Sequence, residues 1–234
     1  ASRSCPGMAK ARRCPSHSPG AVLAAAGSAC RTLEVGGIET LAAAFLPDVV
    51  ARMAATHPDI AVRVTVAQTS TLHAQVKDGT LDAALFFGTR PHDDGVQCGV
   101  IAHAPLMLIV PPGHRLAARA SAGHDDVAHE RFLVTAPGCA YRRMFEAAFR
   151  SRVDGEPVIA GQSDSVAAIV RMVERGLGCA IVPRMVPALA DARVAIVPWH
   201  GEGATVPVSL AWRARASSAM TALHEAVAAV EMQH

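Results

Sequence analysis

Side-chain oxygens collect at three points where an alternating apolar run gives way to a helical pattern: Thr40, the run Gln68-Thr69-Ser70-Thr71, and Ser163-Asp164-Ser165. At a helix start the first backbone N–H groups lack intrahelical partners and carry partial positive charge. Hydroxyl and amide side chains placed there either cap their own helix or join those N–H groups in holding a carboxylate or phosphate. Arg142 lies in a further helix that follows Pro137-Gly138, and its guanidinium is able to grip a carboxylate through two parallel hydrogen bonds. Cys139 opens the same helix. The chemistry on offer is anion recognition. Glu39 is the exception, since a carboxylate beside Thr40 either points outward or selects a ligand with a positive or hydroxyl-rich group.

No comparable constellation supports catalysis. His57, His103 and His114 are scattered, with no nucleophile at a recognisable spacing. Asp93-Asp94 and Asp125-Asp126 read as solvated loop pairs rather than metal ligands, and no P-loop or G-x-G-x-x-G is present. The six cysteines are Cys5, Cys14, Cys30, Cys98, Cys139 and Cys179, none of them in a C-x-x-C pair, so neither a zinc ribbon nor a thioredoxin-type site is indicated. Scattered thiols fit a reducing compartment better than a disulfide framework. No catalytic residue, metal or cofactor is expected, and the chain is not expected to be an enzyme.

The elements that must position these residues follow from hydrophobic period. Leu33–Ile38 alternates like a strand, and Leu41, Phe45, Leu46, Val49, Val50 and Met53 then mark a helix with Pro47 inside it. Ile60–Ala67 is a second strand, followed by a helix through Leu72 and Val76 that Gly79 closes. The apolar run Leu81–Phe87 suits a buried parallel strand. This is β-α-β-α-β. After one or two strands over Val96–Val110, a second α/β unit begins near Phe132, with helices over Ala140–Arg152 and Val166–Arg175. A final helix spans Ser217–Met232. Two α/β lobes imply a cleft, and ligands of such folds sit outside the carboxyl ends of the strands. The residues expected to contact a ligand there are Thr40, Gln68, Thr69, Ser70, Cys139, Arg142, Ser163 and Asp164.

Charge narrows the partners. The 234 residues are 51% hydrophobic and 18% charged, with a formal net charge of +2. Residues 1–32 hold Arg3, Lys10, Arg12, Arg13 and Arg31 and no acid, and removing that +5 leaves residues 33–234 at −3. A nucleic-acid footprint on this acidic body is therefore disfavoured. No apolar run approaches the ~20 residues of a membrane span. Residues 1–32 are expected to be a largely disordered leader or residual linker.

Six segments resemble a known family. They are Leu33-Glu34-Val35-Gly36, Leu46-Pro47, His57-Pro58-Asp59-Ile60, Asp78-Gly79-Thr80-Leu81-Asp82-Ala83-Ala84-Leu85, Pro111-Pro112-Gly113-His114-Arg115-Leu116-Ala117, and Gly176-Leu177-Gly178-Cys179-Ala180-Ile181-Val182-Pro183. In order and approximate spacing they are similar to the effector-binding domain of LysR-type transcriptional regulators, from Leu33 to about Val230.

The resemblance implies a type-2 periplasmic-binding-protein-like α/β fold, two Rossmann-like lobes joined by two crossover strands with a ligand cleft between them. The expected division is 33–110 with 205–234 in the first lobe and 111–204 in the second. It also implies a cytoplasmic small-molecule sensor that forms homodimers or homotetramers through the helix around Ala42–Met53. DNA would be reached only through a winged helix-turn-helix, which residues 1–32 are too short to form. Cys139 stands where peroxide-sensing members carry their reactive cysteine. A resolving cysteine a few residues on is missing, so Cys139 is expected to line the cleft instead. The alternative reading is a solute-binding protein of a transporter with the same fold and Cys30 as its lipidated residue.

Overall fold

The computed structural model describes residues 31–89, 95–150, 157–201, 203–214 and 217–230. Most of the expected leader, with Cys5, Cys14 and Cys30, lies outside the described residues, as does the Asp93-Asp94 pair.

The first β-α-β-α-β unit comprises β1 (Arg31–Gly37), α1 (Glu39–Ala44), α2 (Leu46–Thr56), β2 (Ile60–Val66), α3 (Thr69–Asp78) and β3 (Ala83–Phe87). Where one helix was expected from Leu41 onward there are two. Pro47 lacks an N–H and occupies the first turn of α2, so the chain breaks at Phe45 and restarts, rather than bending within one helix. Gly79 closes α3 in the left-handed conformation (φ 86°), and a Cβ there would lie 1.8 Å from the Arg213 guanidinium.

β4 (Val96–Val110) is a single strand of 15 residues. The second unit then runs β5 (Arg131–Val134), α4 (Ala140–Ala148), β6 (Val158–Gln162), α5 (Val166–Glu174), β7 (Ala180–Pro183) and β8 (Ala195–Pro198). β9 (Thr205–Arg213) and α6 (Ser218–Ala229) follow. α4 stops short of the expected Arg152 because Phe149 leaves helical geometry (φ −114°, ψ 9°) and buries its ring.

Two lobes repeat one strand order. In the first it is β2-β1-β3-β9-β4, with β1, β2 and β3 parallel and β9 antiparallel to both neighbours. In the second, β5 pairs in parallel with β6 and reaches β7 through backbone bonds between Leu133 and Cys179 and between Cys179 and Arg131, both 2.8 Å. β7 and β8 then flank β4 antiparallel, giving β6-β5-β7-β4-β8. β4 thus belongs to both sheets, pairing with β9 up to Pro105 and with β7 and β8 from Leu106 onward. The chain crosses back at Ala204–Thr205, and the Leu106 N–H donates to the Ala204 carbonyl (2.9 Å), fastening the two crossings side by side.

Apolar faces fill the space between layers. Leu41, Met53, Leu72, Val76 and the whole of β3 are buried in the first lobe, and Ile169, Val170 and Val173 of α5 cover Ile109, Ala180 and Val182 in the second. Phe132, Phe145, Phe149 and Trp199 form a ring cluster with centroids 4.8–5.8 Å apart. α6 is fixed at its start by Ser217, whose Oγ accepts from the Met220 N–H (3.1 Å). Ser217→Ala is expected to lower the unfolding free energy by about 1 kcal/mol in urea titrations, the ordinary contribution of a serine N-cap. An unchanged midpoint would show that α6 is held by packing alone.

Candidate functional site

Four parallel strands end on one cavity. Because each is followed directly by a helix, the carboxyl end of the strand and the start of the helix share an edge. β1 delivers Glu39 and Thr40, β2 delivers Gln68, Thr69 and Ser70, β5 delivers Gly138–Tyr141 and Arg143, and β6 delivers Asp164 and Val166. They enclose about 260 Å³. The residues capping α1, α3 and α4 (Ile38, Gln68 and Cys139) make no side-chain capping bond, which leaves helix-start N–H groups at this cavity for a ligand to use. α5 differs, its Ser165 Oγ accepting from the Ala168 N–H (3.3 Å).

Of the eight expected residues, Thr40, Gln68, Thr69, Ser70, Cys139 and Asp164 line this cavity. Ser163 does not. Its Oγ accepts from the Ser165 N–H (3.2 Å) and shapes the turn before α5. Arg142 also stands apart, its Nε donating to Glu146 Oε1 on the same helix (2.8 Å). The neighbouring Arg143 faces the cavity instead, its Nη1 donating to the Gly138 carbonyl (2.6 Å). Glu39 is exposed yet borders the cavity.

Tyr141 went unforeseen. It is the chain's single tyrosine, and it reaches from α4 of the second lobe into the first. Its hydroxyl bonds Thr40 Oγ1, and its ring stands edge-on to Phe87 at 5.9 Å. Burial pushes the phenol well above its ordinary pKa, so it stays protonated and able to donate. Thr40, which is 2% exposed, therefore joins the lobes rather than capping α1.

A larger chamber of about 680 Å³ adjoins the first. Phe86, Phe87, Leu106 and Val206 supply apolar walls and Arg150 a second guanidinium. Thr69, Ala140 and Arg143 belong to both chambers, so the two meet along α4. Cys139 is the thiol that lines the smaller chamber; Cys179 is buried outside both, its thiol pushed up to about 12 by burial and, secondarily, by Glu130. Cys179 lies within 4.8 Å of the ligating atoms of His114 and Glu130. His114 Nδ1 accepts from the Leu116 N–H (3.3 Å), so Nε2 carries the proton and donates to Glu130 (3.2 Å). Of that trio, His114 and Glu130 are joined by this hydrogen bond, and Arg115 Nη2 also donates to Glu130 (2.7 Å).

The LysR substrate binding domain matches residues 26–231. The chain belongs to this family. Among curated relatives of this LysR domain, an uncharacterised helix-turn-helix-type transcriptional regulator, YybE of Bacillus subtilis (strain 168), is 26% identical over 151 residues, 64% of this chain and 51% of that protein. A probable hydrogen peroxide-inducible genes activator of Mycobacterium avium is 31% identical over 153 residues, 65% of this chain and 49% of that one. The chain spans about half the length of these relatives. Their being regulators leaves the transport-protein alternative without support.

The same LysR fold recurs in solved structures. The effector-binding domain of BenM with its effector benzoate superposes with a TM-score of 0.78 at 20% identity, over 86% of this chain and 91% of that one. A reduced form of OxyR from N. meningitidis gives 0.74 at 22%, over 86% and 96%. No described helix is long and apolar enough to cross a membrane.

Proposed function

We propose that this LysR domain senses a small anionic effector in its paired chambers and passes the signal to DNA through a winged helix-turn-helix elsewhere in the regulator. The observation that carries this reading is the convergence of three uncapped helix starts and Arg143 on one cavity between the lobes, an arrangement suited to an anion and bridged by the Thr40–Tyr141 bond. The lobes that close on the ligand are 33–110 with 205–234 and 111–204, a division supported by the double crossing at Pro105–Leu106 and Ala204–Thr205. The BenM domain's benzoate makes aromatic acids a natural starting class. Binding shifts the population of lobe arrangements, and that shift is what an oligomer transmits. The chain acts in the cytoplasm, without catalysis, and pairs with a second copy through the exposed small-residue face of α1 and α2 (Ala43, Ala51, Ala54, Ala55) as a homodimer or homotetramer.

A thermal-shift screen of small carboxylates and phosphates tests the reading. A ligand held at 100 times its Kd adds about 2.7 kcal/mol to the folded state by mass action, which raises Tm by several degrees. If no small anion raises Tm, the chambers are not an effector site.

A further inference from the structure

We infer that the effector is amphoteric, an amino-acid-like acid whose carboxylate sits on Arg143 and whose ammonium group turns into the smaller chamber. The inference rests on the effector-binding reading above and adds the ligand class. Four charged side chains border the two chambers: Glu39, Asp164, Arg143 and Arg150. None of the four forms an ion pair among the described residues. Their signs are segregated. Glu39 and Asp164 line the smaller chamber, Arg150 lines the larger, whose described walls hold no carboxylate, and Arg143 stands in the wall common to both.

Coulomb's law decides what fits. A plain carboxylate placed wholly in the smaller chamber would meet two negative side chains for one positive one. A carboxylate at the junction takes Arg143, while an ammonium on the adjacent carbon is directed towards Glu39 and Asp164. Glu39 comes from α1 of the first lobe and Asp164 from the turn before α5 of the second, so an ammonium that contacts both would tie the lobes together. The side chain of such a ligand then enters the larger chamber against Phe86, Phe87 and Leu106, with Arg150 available to a second acid group.

Calorimetry with matched pairs isolates the ammonium: phenylalanine against 3-phenylpropanoate, and glutamate against glutarate. In at least one pair the amine-bearing member is expected to bind about tenfold or more tightly, the effect of one added charge-assisted contact. In the double variant Glu39→Gln, Asp164→Asn that ratio falls to about one, with the plain acid binding as well as before or better. Both positions are exposed, and an unchanged Tm of the unliganded variant confirms that folding is unaffected. Equal affinity within both pairs, or a preference that survives in the double variant, overturns the inference and leaves effector binding standing. Failure of all four compounds to bind also overturns it, and the broader anion screen then decides the effector reading separately.

Discussion

Phe132→Ala is expected to remove about 3–5 kcal/mol of unfolding free energy, the range for truncating a buried phenylalanine where the cavity cannot collapse. Phe132 is fully buried on β5, and its ring meets Phe145 at 5.1 Å and Phe149 at 5.2 Å. Those partners are held on α4 and just beyond it, and Phe149 also packs on Trp199. Two rings, from α4 and from the residue just beyond it, thus converge on the Phe132 ring of β5. They are not free to close the gap, because β5 is pinned to the chain before β7 by the Leu133 and Cys179 backbone bonds. Phe132→Leu, which keeps most of the volume, is expected to lose about 1.5 kcal/mol or less. Guanidinium titrations of both variants give the two differences directly. A loss below about 1 kcal/mol for the alanine variant would mean that α4 can shift to fill the void, and the rigid placement of Arg143 and Tyr141 would then have to be abandoned.

Arg143→Ala should weaken binding of an anionic effector by about 10- to 100-fold, since hydrogen bonds to a charged partner contribute about 1.5–3 kcal/mol and each 1.4 kcal/mol is tenfold. Arg142→Ala should change it by less than about twofold, because that guanidinium is turned away onto Glu146. The comparison is stringent because the two substitutions remove the same charge from adjacent positions of one helix, so net charge and long-range attraction are matched. Calorimetry with the tightest acid from the screen, at low and high salt, separates a contact from mere steering. Equal losses at both positions would show that α4 contributes field rather than a hydrogen bond.

Why Arg142 drew attention from the residues alone, and Arg143 did not, is a matter of rotation. Successive helical residues point about 100° apart, and the sequence Tyr141-Arg142-Arg143 has apolar neighbours on both sides, so its period does not say which arginine faces the cleft. The hydroxyls and amides were easier to find, because a helix start after a parallel strand must lie at the strand's carboxyl end. Six of the eight residues reached that way line one cavity. Tyr141 escaped because its role is a bond to Thr40, 101 positions away, and no local period encodes such a contact. The β-α-β-α-β units were legible for the opposite reason. Gly79 punctuates the chain through its own backbone limits, which operate whatever the tertiary surroundings, whereas Pro47, read inside one helix, in fact opens a second. The slot that β9 takes between β3 and β4 could not be read from the strand's own residues. It pairs Phe87 with Val208, far apart in the chain, and alternation says only that β9 is a strand.

That slot sets the order in which the molecule can be completed during synthesis. The strands of the second lobe arise from one unbroken stretch, from Leu106 in β4 to Pro198 in β8. The first lobe, although begun by β1 at Arg31, has an open seam between β3 and β4 until Thr205–Arg213 has emerged, and α6, which packs against α2, comes later still. A nascent chain that has emerged only as far as about residue 200 therefore holds the complete set of second-lobe strands and a first lobe with two unpaired strand edges exposed. Of the two lobes, the one begun earlier closes later, and for that interval its edges are the part of these lobes most in need of a chaperone.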